Sequence, residues 1–337
     1  MNVCSECFND EELQGFIESN STGKGICDFC KTEASYIDTN ELLDFFVEFL
    51  DSFSEDENGK PLIDLIDNDW GLFANEDKGE GVLIELLKET NLSIKVPGQK
   101  VVYGEDIVKC TDFWHVLKNE LKWERRFLTD VKVFEEFGWD RFFAKNNIHP
   151  TEQSLYRARI HPNDTQRAYG ISEMGSPEPK IATAGRANPQ GIPYLYLSKS
   201  IGTTFYETRA TYLDEVSIGE FVVKKDEVIS LVDFTEKISL FMNIGDINNY
   251  VKSVILKKYI SVDLSKPLRR YDSDLEYIPT QFICEFIKNL SNADDIMFNS
   301  SLHIDGKNVV LFNESKMECV EVLTYRVTEV NISHELI

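Results

Sequence analysis

A chain of 337 residues with 42% hydrophobic content has enough apolar material for two or three domains with their own cores, which excludes a disordered protein. With 58 acidic against 35 basic residues its net charge is −23, a field that repels nucleic-acid and anionic-membrane phosphates and leaves room for a small anion only where cations gather locally. No signal-like start and no apolar run near the roughly 18 residues of a membrane span are found, and seven cysteines without an export signal read as reduced thiols, so a cytoplasmic protein is expected.

In chain order the first signal is a pair of Cys-x-x-Cys knuckles, Cys4 with Cys7 and Cys27 with Cys30, nineteen residues apart. Each knuckle offers two thiolates to one tetrahedral ion, and the intervening loop brings the second pair opposite the first. A structural Zn2+ in a zinc-ribbon-like module over residues 1–34 is therefore expected, with redox pairs as the other reading. Cys110, Cys284 and Cys319 stand alone and read as small buried apolar groups.

Residues 35–150 read as a small helical domain. In TNELLDFFVEFLDSFSED, an Asn cap precedes apolar residues at Leu42, Leu43, Phe45, Phe46, Val47, Phe49, Leu50 and Phe53, a stripe at helical period. GEGVLIELLKET and DFWHVLKNELKWERRFL repeat that texture, and VKVFEEFGWDRFFAKNN closes the region as a last helix or irregular turn. SFSEDENGK reads as a solvated acidic loop, and NNIHPTEQ as a short polar connection to the second half of the chain.

Beyond it, over 151–337, the period changes. SLYRARI, IPYLYLS, IGEFVVKK, VISLVDF, NVVLF and ECVEVLTYRVTEV are short, alternating and rich in Val, Ile, Tyr and Phe, hence strands; IGTTFYETRATYL and PTQFICEFIKNLS are the helices between them. The pattern predicts an α+β domain with a largely antiparallel, split sheet. Arg157 and Arg159 share one face of the first strand, an expensive placement unless they meet anions. Gly185 and Gly191 bracket a turn presenting Arg186 and Asn188; the strand after it puts Tyr194 and Tyr196 on one face; Thr203 or Thr204 starts a helix with Glu207 one turn inside. Ser300 and Ser301 follow a short apolar strand. Taken alone, this fragment favours the plainer reading, in which the tyrosines are half-buried strand residues and Glu207 a solvated helix residue.

The order Arg, Gly-Arg-x-Asn, Tyr, Glu, Ser resembles the RES family, named for its Arg, Glu and Ser, whose members include toxins of bacterial toxin–antitoxin modules. LYRARI, GRANPQGIPYLYLSKSIGTTFYE, IPTQFICEFIK and DDIMFNSS carry the resemblance over about 151–320. It implies a fold like that of ADP-ribosyltransferases and an enzyme that consumes NAD+. It also implies Arg157 (or Arg159), Tyr196, Glu207 and Ser300 (or Ser301) as the family's residues, with Arg186, Asn188 and Tyr194 supporting the substrate. Zinc knuckles before a helical segment are similar to the HEPN-like amino-terminal region of longer RES proteins. An antitoxin or regulatory protein as partner, and a homo-oligomer, belong to the same resemblance.

The residues fit that chemistry. Breaking the nicotinamide–ribose bond develops positive charge on the sugar, which a carboxylate such as Glu207 stabilises. The pyrophosphate calls for guanidinium donors, a tyrosine stacks on the nicotinamide ring, and a serine hydroxyl orients carboxamide or ribose. Hydrolysis or phosphorolysis is the first reading, transfer of ADP-ribose to another acceptor the second, and an RNA- or partner-binding protein the third. The ribonuclease form needs Arg and His separated by four to six residues; Arg141 and His149 have seven between them, and His115 has no arginine at that distance before it. His161 and His303 read as surface or hydrogen-bonded side chains, and PLRRYDSD as a solvated loop or an entry for the anion.

Overall fold

Cys4 ends one short strand and Cys27 directly follows another, while Cys7 and Cys30 close the turns beside them. β1 (Asn2–Cys4) and β2 (Gly23–Ile26) pair antiparallel with β3 (Glu33–Asp38) between them, and α1 (Glu11–Ser19) runs from the first knuckle to β2. Asp10 caps α1 by accepting the Leu13 N–H at 3.0 Å, which satisfies one of the helix's unpaired donors. The structure is a computed structural model that describes residues 1–127, 133–134, 137–139, 143, 146–148, 154–162, 167–236, 239–266, 274–331 and 334.

By contacts the chain divides into one unit of Met1–Phe113 with Lys237–Leu256 and another of Trp114–Glu236 with Lys257–Ile337. The sequence reading places domain joints near 34 and 150; by contacts, residues 1–34 share a unit with the helices next to them in the chain. In the first unit α2 (Leu43–Leu50) carries the expected stripe, burying Phe45, Phe46, Phe49 and Leu50. Phe46 stacks on Phe73 with ring centroids 6.2 Å apart, and Phe8 packs on both. The helix ends earlier than its apolar pattern, and the acidic stretch read as a solvated loop is β4 (Phe53–Pro61), paired with β5 (Lys100–Tyr103). That partner is some forty residues away, so no local pattern announces it; Phe53 is buried while most of the strand faces solvent. α3 (Leu62–Trp70), stopped by Gly71 at φ +54°, and α4 (Glu76–Glu89), capped by Asn75, complete this part.

α5 (Glu105–Trp123) leads to the eight-stranded sheet of the second unit. Its strands are β6 (Asn146–Ile148), β7 (Leu155–Ile160), β8 (Leu195–Ser198), β9 (Glu215–Val223), β10 (Ile229–Asp233), β11 (Asp295–Asn299), β12 (Lys307–Leu311) and β13 (Met317–Arg326), in the order β13-β9-β7-β8-β12-β11-β10-β6. All pairs are antiparallel except β10 with β11, which makes the sheet mixed. The expected split is visible as well: β7 and β8 share a single residue pair, Tyr156 with Ser198. Leu195, Leu197, Leu231, Met297, Val309 and Leu311 form an apolar face with Leu155 and Phe221.

α6 (Ile201–Glu207) and α8 (Ile278–Phe286) are the expected helices, the first much shorter than its apolar pattern. Between them runs α7 (Ile247–Ser265), which the sequence reading misses. Its Val and Ile content lowers helix propensity, yet Ile247, Val251, Ile255, Ile260 and Leu264 are buried at helical spacing, so burial outweighs propensity. Among the described residues no helix is long and apolar enough to cross a membrane.

Candidate functional site

Beside the seam between β7 and β8 lies a cavity of about 310 Å³, walled by Tyr156 and Arg157 of β7, Tyr196 and Ser198 of β8, Glu207 of α6 and Asn308 of β12, with Arg186 and Ser301 from loops. Glu207 reaches it because α6 starts immediately after β8. Ser200 caps the helix by accepting the Thr203 N–H at 3.2 Å, and seven residues later Glu207 is the last helical position. Arg209 at φ +54° turns the chain away.

The Glu207 carboxylate is fixed from two elements. Ser300 Oγ donates to Glu207 Oε1 at 2.6 Å and Asn308 Nδ2 donates to the same oxygen at 2.7 Å. Ser300 Oγ in turn accepts the N–H groups of Leu302 and His303, each at 3.1 Å, and Ser198 Oγ donates to Asn308 Oδ1 at 2.9 Å. The Ser300 hydroxyl thus has its proton and both lone pairs engaged. Its proton is directed at Glu207; the sequence reading gave the hydroxyl to the ribose or carboxamide. The neighbouring Ser301 lines the wall and lies 3.5 Å from Arg186 Nη2.

Arg157 brings the charge. Burial, together with the like charge of Arg159, pulls its guanidinium down to about 10, partly offset by Glu314, so it remains a cation at neutral pH. Its Nη1 is buried without a hydrogen-bond partner, an unsatisfied donor in a cavity wall. Arg186 is also lowered, by burial first, against the pull of Tyr277 and Glu207. Its Nη1 donates to the carbonyls of Leu264, at 3.0 Å, and Lys266.

The Gly-Arg-x-Asn turn is a scaffold. Asn188 Nδ2 donates to the carbonyls of Thr183, Pro189 and Ile192 at 3.0, 3.1 and 2.9 Å, which closes the turn around one side chain. Tyr196 Oη donates to Asn188 Oδ1 at 2.8 Å and accepts the Ala187 N–H at 3.0 Å; burial raises its phenol well above the ordinary value. From α8, Thr280 Oγ1 donates to the Arg186 carbonyl at 2.6 Å and Gln281 Nε2 to those of Gly185 and Asn188 at 2.8 and 3.0 Å. Gly185 is required by close approach: a Cβ there would lie 2.7 Å from both Asn188 Oδ1 and Tyr196 Oη.

Arg157, Arg186, Tyr196, Glu207 and Ser301 therefore meet at the cavity, with Ser300 and Asn188 one step behind. Two expected residues stand apart from its wall. Arg159 donates to the Gly175 carbonyl at 2.7 Å and lies 5.7 Å from the Tyr169 ring. Tyr194 precedes β8, packs on Phe312 at 5.1 Å and lies under the Lys288 ammonium. Asn308, Thr280 and Gln281 escaped the sequence reading. Gln281 lies in the IPTQFICEFIK block, so its signal was present, whereas Asn308 looked like one polar position of an apolar strand. His303 bonds Thr203 Oγ1 through Nδ1 at 3.0 Å and stacks on Tyr206; His161 is buried 2.8 Å from Ser217 Oγ. Arg141, His149 and residues 267–273 of PLRRYDSD lie outside the described residues.

At the other candidate site, Cys4, Cys7, Cys27 and Cys30 bring their sulfurs within 4.8 Å of one another, with Cys4 to Cys30 at 3.3 Å and Cys7 to Cys27 at 3.6 Å. A tetrahedral Zn2+ with Zn–S of about 2.3 Å has S···S edges of roughly 3.8 Å, so the set fits such an ion. Burial raises Cys4 to about 12 and Cys7 higher still; Cys30, against the push of burial, is lowered to about 6 by hydrogen bonds from Thr32 and neighbouring thiols.

Comparison with known proteins gives one family: the RES domain matches residues 154–332, just over half of the chain. No curated protein matches. Among solved structures, a chain of the crystal structure of the M. tuberculosis MbcT-MbcA toxin-antitoxin complex is similar at 10% identity, over 66% of this chain and 93% of that one, with a TM-score of 0.31.

Proposed function

Because the chain belongs to the RES domain family, we propose that it is an NAD+-consuming enzyme that breaks the bond between nicotinamide and ribose, with water or phosphate as acceptor. The observation that carries this reading is that Arg157 and Glu207, from distant parts of the chain, line one cavity in which Ser300 and Asn308 hold the carboxylate from behind and the arginine keeps an unsatisfied donor.

In NAD+ the nicotinamide nitrogen is cationic. As the bond to C1′ breaks, the electron pair stays with that nitrogen, nicotinamide leaves neutral, and positive charge passes to the ribose. No proton has to be supplied to the leaving group. Glu207 faces the developing charge with Oε2, since both of its bonds fall on Oε1. Arg157 and Arg186 meet the phosphate oxygens, and the Tyr196 ring, fixed by its bonds to the turn, offers a flat wall to the nicotinamide. The acceptor then adds at C1′ and loses its proton to Glu207 or solvent. The geometry acts by position and field, without a nucleophile.

Incubating the purified protein with NAD+, with and without phosphate, and resolving the products tests the reading. Nicotinamide release by the wild type and not by Glu207→Gln supports it. ADP-ribose or its 1-phosphate names the acceptor, and label on protein would turn the reading to ADP-ribosyl transfer. Intact NAD+ throughout sinks it. Restraint by an antitoxin or regulatory protein belongs to the same proposal. We assign Cys4, Cys7, Cys27 and Cys30 to a structural Zn2+, which as a closed four-thiolate centre would hold β1, β2 and the turn before β3 together.

A further inference from the structure

Arg186 is a wall residue of a second, smaller cavity of about 80 Å³. Three lysines line it: Lys118 and Lys122 of α5, and Lys266 just past α7. Each is partly answered. Lys118 Nζ lies 2.7 Å from Asp263 Oδ2, which also accepts Trp114 Nε1 at 2.8 Å; Lys122 Nζ lies 2.8 Å from Glu276 Oε1; Lys266 Nζ is 3.7 Å from Glu276 Oε2. Four cations thus face two carboxylates, a local excess of positive charge in a chain of net charge −23. The Lys118 and Lys122 side chains are only 22% and 15% exposed, where lysine ordinarily keeps its head in water. An ammonium has three donors and one carboxylate oxygen occupies only one of them. The space is large enough for more than one water-sized group, as a phosphoryl group needs.

We propose that this cavity is a phosphoryl-binding subsite, receiving phosphate oxygens of the dinucleotide whose nicotinamide ribose meets Glu207. The assignment rests on the NAD+ reading for its source of phosphate. Arg186 lines both cavities, so one guanidinium stands beside each. Lys118 and Lys122 precede the segment 154–332 that matches the family, so this chain adds the subsite from its own α5.

Calorimetric titration of the full-length protein with inorganic pyrophosphate tests the subsite without requiring turnover. The double variant Lys118→Met/Lys122→Met should weaken binding about tenfold or more. Glu276→Gln, which removes a competing carboxylate, should tighten it, a change no folding defect would produce. No binding by the wild type, or no response to these variants, overturns the subsite. With NAD+ as substrate, the double variant should raise KM by more than it lowers kcat. An unmoved KM beside weakened pyrophosphate binding overturns the dinucleotide as the source and leaves a free phosphoryl anion as occupant. Variant-sensitive pyrophosphate binding in a protein that releases no nicotinamide upholds the subsite and sinks the NAD+ reading.

Discussion

A carboxylate on the last residue of a helix stands at the wrong end of the helix dipole, and Glu207 is held there by Ser300 and Asn308. Each is a positioning residue, so Ser300→Ala and Asn308→Ala should lower kcat by about tenfold or more with little change in KM, whereas Glu207→Gln, which removes the charge, should cost about 10²–10³ in kcat. Equal losses in KM and kcat for the Ser300 variant would point to direct substrate contact instead. Gly185→Ala drives a methyl into the bond between Tyr196 and Asn188, and should cost about 1–3 kcal/mol, read from the denaturant midpoint. At this scale the Arg, Tyr, Glu and Ser were named through the resemblance to the RES family, whose order of residues the chain repeats. The sequence could not display the direction in which Ser300 donates or the partnership of Asn308 with Glu207, because both depend on a strand pairing more than a hundred residues away from Ser198.

Elements were legible where their pattern was local. β7, β9, β12 and β13 are short runs rich in β-branched and aromatic residues, as strands should be, and α2 carries its stripe. β4 and α7 were not, since one owes its form to a distant partner and the other to burial that overrides β-branched propensity. α8 has a function in addition to packing: Gln281 holds the Gly185 and Asn188 carbonyls, so Gln281→Ala should loosen the turn, raising KM for NAD+ while leaving global stability within about 1 kcal/mol. An unaltered KM would show that Thr280 alone suffices. In β11, Asp295 is fully buried, neither carboxylate oxygen has a hydrogen-bond partner, and burial, then Asp294, raises its pKa well above the ordinary value. The folded state therefore binds more protons than the unfolded state from pH about 4 upward, and stability falls as pH rises through that window. Asp295→Asn should stabilise the protein at pH 7 and do so less at pH 4; an equal gain at both would mean that ionisation is not the cost.

At the scale of the whole molecule, the chain is strongly negative, yet Arg157 and Arg186 line one cavity and Lys118, Lys122, Lys266 and Arg186 the other. Purified protein should carry about one zinc per chain, and Cys4→Ser or chelation should lower the melting temperature; a metal-free protein that melts at the same temperature would return the cysteines to the redox reading. No break in composition marks Phe113 or Leu256, where the contact units divide, so that division could not be read from the sequence. The single pair of Tyr156 with Ser198 has one more consequence. Arg157 hangs on a leaf of three strands, while Asn308, and with it the grip on Glu207, belongs to a leaf of five. So few ladder bonds across the seam lead us to expect local opening there before either ladder unzips, with a change in the span between cation and carboxylate. A ligand that bridges the two residues would clamp the two leaves, and slowed amide exchange at positions 156–158 and 197–198 would record it.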